Sequence, residues 1–107
     1  MIKPSEVNIL GKVYKIIYCD KPSDVDVHRR ESLWGQIDYW TLSIRIYDDG
    51  LNSEAIFHAI LHEVLHGIVV ELHLSTISKA TDHEDVVDLL SMAFADVLER
   101  NNWLRKE

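Results

Sequence analysis

The residues best suited to chemistry in this sequence stand together in the run HEVLH, from His62 to His66. Residues four apart on an α-helix lie on one face, about 6 Å apart, so the imidazoles of His62 and His66 can bind one metal ion. Glu63 is rotated by about 100° from His62 and can reach a water molecule beside that ion. The spacing H-E-x-x-H is typical of two zinc ligands and a general base. A chain of this composition would contain it by chance about 0.02 times.

A catalytic zinc ion usually has three protein ligands, so the pair predicts a third ligand elsewhere. Glu84 follows His66 by 18 residues, which suits a helix, a turn and a returning helix. We expect Glu84 to be the third ligand, with Asp88 as the alternative. The wider set of candidates lies at the start of the second helix: His83, Glu84, Asp85 and Asp88.

Both acids also have simpler interpretations. Thr81-x-x-Glu84 matches a capping box, in which the glutamate serves the helix end, and Asp88 can be a solvated surface charge. Because Glu84 and Asp88 are four apart, they share a helix face. That face continues through the small residues Ser91 and Ala95, which predicts close packing against the HExxH helix.

The other histidines and two aromatic residues are weaker candidates. His58 lies one turn before His62 and is expected at the periphery of the site, whereas His73 is too far along the helix to bind the same ion. His28 has no assignable role. Tyr39 can donate a hydrogen bond to an oxyanion, although a surface aromatic in a turn is the commoner case, and Trp40 can line the cleft.

The strands and helices that position these residues can be predicted from the hydrophobic period, which changes along the chain. Alternating apolar residues predict four strands, and a period near 3.6 then predicts two helices. Ser53 is the expected N-cap of the first helix. The predicted strands are Val7–Leu10, Val13–Tyr18, Leu33–Ile37 and Leu42–Tyr47, and the predicted helices are Glu54–Leu74 and Asp82–Asn102.

The order of strands before helices predicts an α+β fold in one domain spanning residues 1–107, with both helices packed on one face of a small, mostly antiparallel sheet. Two apolar stripes are expected to face the core. On the first helix the stripe is Phe57, Leu61, Leu65, Ile68 and Leu72. On the second helix it is Val86, Leu90, Phe94, Val97 and Leu98.

Composition excludes several classes of partner. The formal charge of −7 argues against nucleic acid and against an anionic membrane surface, since both bind basic proteins. No signal peptide is recognisable, and no apolar run approaches the roughly 20 residues of a membrane span. The single Cys19 excludes an intrachain disulfide and fits a reducing cytoplasm. We therefore expect a cytoplasmic protein without nucleic-acid or membrane partners.

The stretch HEVLHGI, followed by EDVVDLLSMAF, resembles the ImmA/IrrE-like metallopeptidases and their minimal relatives from phages and prophages. The stretch WGQIDYWTLSIRI is similar to the strand–turn–strand before HExxH in the phage-type proteins. The resemblance implies a minimal zincin-like fold, a zinc-dependent endopeptidase activity, and a glutamate as third ligand, which falls on Glu84. It implies a protein or peptide substrate, and some members of the family act on transcriptional repressors of mobile elements.

The resemblance also implies where the substrate binds. In zincins of this kind an edge strand beside the active-site helix holds an extended peptide by main-chain hydrogen bonds. We expect the strand near Leu33–Ile37 in this role, with Gly35 leaving space for a close backbone approach or marking a bulge.

Three functions remain open at this point. The first is a minimal zinc peptidase, favoured by the intact Glu63, because a structural site needs no base. The second is a non-catalytic metal-binding module for protein interaction, favoured because no oxyanion donor is obvious. The third is a small interaction protein without metal.

Overall fold

The computed structural model describes residues 3–26, 34–73 and 83–104, the side chains of residues 83–85 excepted. Within these ranges the chain forms an α+β fold, which confirms the predicted class. The strands are β1 (Glu6–Ile9), β2 (Lys12–Cys19), β3 (Gly35–Asp38) and β4 (Ser43–Tyr47), and the helices are α1 (Ser53–Glu71) and α2 (His83–Arg100).

The four strands form one mixed sheet in the order β1-β2-β4-β3. β1 and β2 are an antiparallel hairpin that turns at Gly11, where a φ of 99° suits glycine. β2 and β4 pair in parallel, and β3 and β4 pair antiparallel. β3 therefore lies at an edge of the sheet, as predicted for the strand near Leu33–Ile37, of which Leu33 is outside the described residues.

The core lies between α1 and one face of the sheet. Alternation brings Val7, Ile9, Tyr14, Ile16, Ile44 and Ile46 to that face. α1 covers them with a stripe of aliphatic residues spaced by four: Ile56, Ile60, Val64 and Ile68. Each such side chain contributes about 1.5–3 kcal/mol when it is fully buried.

The buried stripe of α1 differs from the predicted one. Of the predicted residues only Ile68 is fully buried, and Leu65 is 46% exposed. Phe57, Leu61 and Leu72 are half-buried at the margin of the core. α1 is apolar on several sides, so the sequence period fits more than one stripe, and packing against the sheet selects the stripe through Ile60.

The bounds of α1 also differ from the prediction. Asn52, not Ser53, is the N-cap, because its side-chain oxygen accepts a hydrogen bond from the Ala55 N–H at 2.8 Å. At the other end the helix stops at Glu71, and His73 has a φ of 55°. The left-handed backbone at His73 cannot continue a right-handed helix. The predicted end at Leu74 and the polar break up to Thr81 are outside the described residues.

α2 packs through Ala93 and Val97, which are buried, while Leu90, Phe94 and Leu98 lie at the core margin. Its end is attached to β1, since Asn101 accepts from the Asn8 N–H at 2.8 Å and donates to the Asn8 carbonyl at 2.7 Å. Ser91 and Ala95 are exposed. The expectation that their face packs against α1 is therefore wrong, because α2 turns the adjacent Ala93 side to the core.

α1 is also long and apolar enough, by length and composition alone, to cross a membrane. A core helix of a soluble protein passes the same test, and α1 has a continuous buried stripe on the sheet.

Candidate metal centre

The side chains of His62 and His66 converge on the surface of α1. Their Nε2 atoms lie 3.1 Å apart, and their rings meet edge to face with centroids 4.7 Å apart. Both side chains are exposed. The helix alone explains this arrangement, because residues i and i+4 stand above each other on one face. Two ring nitrogens are thus presented together to one point in solvent.

Glu63 lies beside this pair but is turned into the protein, where it is only 6% exposed. It is the one charged residue among the buried residues of α1. Burial raises the pKa of its carboxyl group, and the raising is partly offset by His66, by His62 and by a hydrogen bond from the main-chain N–H of Ile37. The site therefore holds a carboxylate whose proton affinity is increased by desolvation.

The direction of the Ile37 N–H follows from the phase of the β3–β4 ladder. Tyr47 N–H donates to the Trp34 carbonyl at 2.9 Å, so residues 34 and 47 form a hydrogen-bonded pair. Hydrogen-bonded pairs alternate with non-hydrogen-bonded pairs along an antiparallel ladder. With Gly35 opposite Ile46 and Ile37 opposite Ile44, the main-chain groups of Gly35 and Ile37 point away from β4. They face the open edge of the sheet, on the side of Glu63.

Gly35 contacts the Glu63 side chain directly. A Cβ atom built on Gly35 would lie 3.0 Å from Glu63 Oε2 and 3.3 Å from both Glu63 Cγ and Ile46 Cδ1. The expected approach of a substrate backbone at Gly35 stays a prediction, and the neighbour within the protein is the Glu63 carboxylate.

A cleft of about 370 Å³ opens beside Glu63 and His62. It is lined by two small residues of α1, Ala55 and Ala59, and by Trp34 and Gly35 at the start of β3. Trp34 is fixed by an edge contact with the Tyr47 ring at 5.8 Å. His58 also lines this cleft, so it stands at the border of the site, as expected from its spacing.

The third ligand is not assembled in the part of the chain that the structure describes. No group of three His, Cys, Asp or Glu side chains gathers there around one point. Asp88 is exposed on α2 and does not join the histidine pair. Glu84 lies in the first turn of α2, but its side chain is outside the described residues, as are those of His83 and Asp85.

The remaining candidates differ in their distance from the site. Tyr39 follows β3, and burial, Tyr14 and the charge of Glu63 together raise its pKa, in that order. Trp40 is 94% exposed at the tip of the β3–β4 turn rather than in the cleft wall. His73 is exposed beyond the end of α1, and His28 is outside the described residues.

Sequence reasoning missed the contribution of Ala55 and Ala59 to the cleft and the packing of Gly35 against the Glu63 carboxylate. The alanines have a recognisable spacing, because they are four residues apart and Ala59 stands four residues before Glu63. The contact between Gly35 and the carboxylate has no such signal, since it depends on how α1 lies across the sheet.

Comparison with known proteins adds no assignment: no family model, no curated protein and no solved structure matches this chain.

Proposed function

We propose that this chain is a zinc-dependent metallopeptidase that hydrolyses peptide bonds, with His62 and His66 as zinc ligands and Glu63 as the general base. The observation that carries the proposal is the pair of Nε2 atoms 3.1 Å apart, with the buried Glu63 carboxylate beside them at a cleft.

The donor pair suits zinc. Two Zn–N bonds of about 2.0–2.1 Å at a tetrahedral angle place the nitrogen atoms about 3.3 Å apart. The observed separation of 3.1 Å requires only a small movement of the rings to reach this value. Glu84 is the proposed third ligand and Asp88 the alternative.

Zinc, when bound, supplies a Lewis acid that lowers the pKa of water toward about 7. Glu63 accepts the proton from the attacking water and later delivers it to the leaving amine. The raised pKa of its carboxyl group suits this role, because a general base works best when its pKa approaches the working pH. A buried carboxylate also costs stability, which a purely structural helix would avoid by using an apolar residue.

The proposed substrate is an extended segment of a protein or peptide. β3 is an edge strand whose main-chain groups at Gly35 point outward, so a peptide can add as a further strand there. The cleft beside Glu63 would take one of its side chains. A transcriptional repressor is a substrate of this kind, proposed from the resemblance alone.

The second candidate is a non-catalytic metal-binding module for protein interaction. It is favoured by one observation, that the described side chains supply two metal ligands and not three. Glu63 separates the two functions, since only a peptidase needs its carboxylate.

In the deciding experiment, zinc-loaded protein is incubated with a proteome-derived peptide library. Mass spectrometry then identifies the new termini of peptides that have been cleaved. The matched control is Glu63→Gln, loaded with zinc in the same way. Cleavage by the wild type that is absent in the variant supports the peptidase. Zinc binding by both proteins without any cleavage supports the interaction module instead.

A further inference from the structure

β3 packs against the Glu63 side chain at the open edge of the sheet. The main-chain N–H of Ile37 points to the open edge of the sheet, on the side of Glu63. Gly35, two residues earlier on the same edge, lies against Oε2 and Cγ. The packing at Gly35 limits the position of the carboxylate.

The backbone of β3 does not itself require a glycine at position 35. The positive φ values among the described glycines are at Gly11 and Gly50, not at Gly35. A side chain there would be crowded, because the new Cβ would stand 3.0 Å from Oε2 and the carboxylate would have to move by a few tenths of an ångström. The limited space at position 35 therefore comes from the side chains of Glu63 and Ile46, and not from the conformation of the backbone.

We propose that β3 positions the general base, with Gly35 giving the Glu63 carboxylate its place beside the strand. This inference rests on the proposed function for its catalytic meaning. Gly35 is then a positioning residue that acts through Glu63 and does not itself touch the reacting atoms.

The same arrangement affects substrate binding. The main-chain groups of Gly35 and Ile37 point to the open edge, so an extended peptide that pairs with β3 takes its main-chain hydrogen bonds there, beside Glu63. The base and the substrate are thereby held by neighbouring residues of one strand, which fixes their relative position. A misplacement of about 1 Å at such a site can cost about 10²-fold in rate.

The first test is a double-mutant cycle on thermal unfolding, which needs no substrate. Gly35→Ala is expected to lower Tm in the wild-type background. In the Glu63→Ala background the loss of Tm should be less than half as large, because the shortened side chain at position 63 frees the space that the new Cβ enters. Equal losses in both backgrounds would overturn the proposal. If Gly35→Ala alone does not fold, the double variant must fold for the proposal to stand.

Gly67→Ala is the matched control. A Cβ at Gly67 would meet Ile9 Cδ1 at 2.8 Å and Ile37 Cδ1 at 3.2 Å, which are apolar atoms and not the carboxylate. Its effect on Tm should therefore be the same in the wild-type and the Glu63→Ala backgrounds. If the Glu63→Ala background reduces the Tm loss equally for Gly35→Ala and for Gly67→Ala, the cycle reports general packing. That result would overturn the specific role of Gly35.

The second test separates positioning from binding, using wild type and Gly35→Ala on a peptide that the wild type cleaves. We expect kcat to fall about 10²-fold, KM to change by less than about threefold, and zinc affinity to stay within about threefold of wild type. An unchanged kcat would overturn the proposal. If the wild type binds no zinc and cleaves nothing, the proposed function fails, while the Tm cycle still decides whether Gly35 positions Glu63.

Discussion

The Nε2 atoms of His62 and His66 lie 3.1 Å apart on the exposed side of α1, although neither ring is held by the core. At this distance one ring can donate its N–H to the ring nitrogen of the other, with the two roles set by the tautomers. Zinc binding replaces this hydrogen bond by two coordinate bonds and requires both rings to be deprotonated at Nε2.

The first prediction is that the purified chain binds about one zinc ion, and that His66→Ala abolishes tight binding. The reason is geometric, since the remaining ligands cannot replace the lost nitrogen. Isothermal titration with zinc and elemental analysis measure it. His73→Ala is the control, because His73 is exposed beyond the end of α1, and it should bind zinc as the wild type does. Absence of a transition metal after zinc is supplied would rule out the metal site.

The second prediction concerns Glu63→Gln. The variant keeps the size of the side chain and removes the basic carboxylate, so we expect a folded protein that binds zinc and whose hydrolysis rate is about 10²–10⁴-fold lower. Zinc affinity is measured by titration and the rate by mass spectrometry on the same peptide. Cleavage at the wild-type rate would exclude Glu63 as the base. The inactive variant also serves as a trap to isolate the substrate.

The local part of this site can be predicted from sequence. The spacing of His62, Glu63 and His66 is sufficient to bring two imidazoles together, because the helix repeat alone places residues i and i+4 on one face. The strands are equally local, as Ile44 and Ile46 alternate with polar neighbours. These features do not depend on how the helix lies on the sheet.

The non-local part of the site depends on packing. Leu65 fits an apolar stripe in the sequence and is nevertheless exposed, since several stripes of α1 are apolar and only contact with the sheet selects one. The same packing decides that Gly35 faces a carboxylate. The exposed Ser91 on α2 is another case, because small size permits close packing without requiring it.

The third prediction tests the start of α1. Asn52→Ala removes the oxygen that accepts from the Ala55 N–H, so it should lower the free energy of unfolding by about 1 kcal/mol. Ser53→Ala should change it by less than about 0.5 kcal/mol, as is usual at exposed positions. Urea unfolding followed by circular dichroism measures both. A larger loss of unfolding free energy for Ser53→Ala than for Asn52→Ala would identify Ser53 as the N-cap.

The fourth prediction is a loss of stability at alkaline pH that depends on Tyr18. Its hydroxyl donates to the Pro4 carbonyl at 2.7 Å. Burial and then the charge of Asp48 raise its pKa from 10.0 to about 12. A folded-state pKa above the unfolded one means that the stabilisation is complete below pH 10 and is lost as the pH rises toward 12.

Tyr18→Phe provides the comparison. It keeps a ring beneath the Lys3 ammonium, which lies 5.1 Å from the ring centroid, and it removes the titrating hydroxyl. We expect the variant to be about 1 kcal/mol less stable at pH 8 through the lost hydrogen bond, and to lose less stability than wild type between pH 10 and 11. Urea unfolding at the three pH values measures this. Equal losses in both proteins would assign the alkaline transition to another group.

The fifth prediction separates the two acids proposed as third ligand. Glu84→Ala should weaken zinc binding by more than about 100-fold, because loss of a direct ligand exceeds the 10–100-fold typical of groups that only orient ligands. If the capping box with Thr81 also forms, the same variant loses about 1 kcal/mol of helix stability. Asp88→Ala should stay within about threefold of wild-type affinity, because Asp88 is exposed and does not gather with the histidines.

Zinc titration of both variants is read together with their unfolding curves, so that a lost ligand is distinguished from a frayed helix. A stable Glu84→Ala protein with weak zinc binding identifies a ligand, whereas reduced stability with full affinity identifies only a helix cap. If Asp88→Ala loses zinc and Glu84→Ala keeps it, the third ligand lies one turn further along α2. Full affinity in both variants would leave the histidine pair without an acid from α2, and would favour the interaction module over the peptidase.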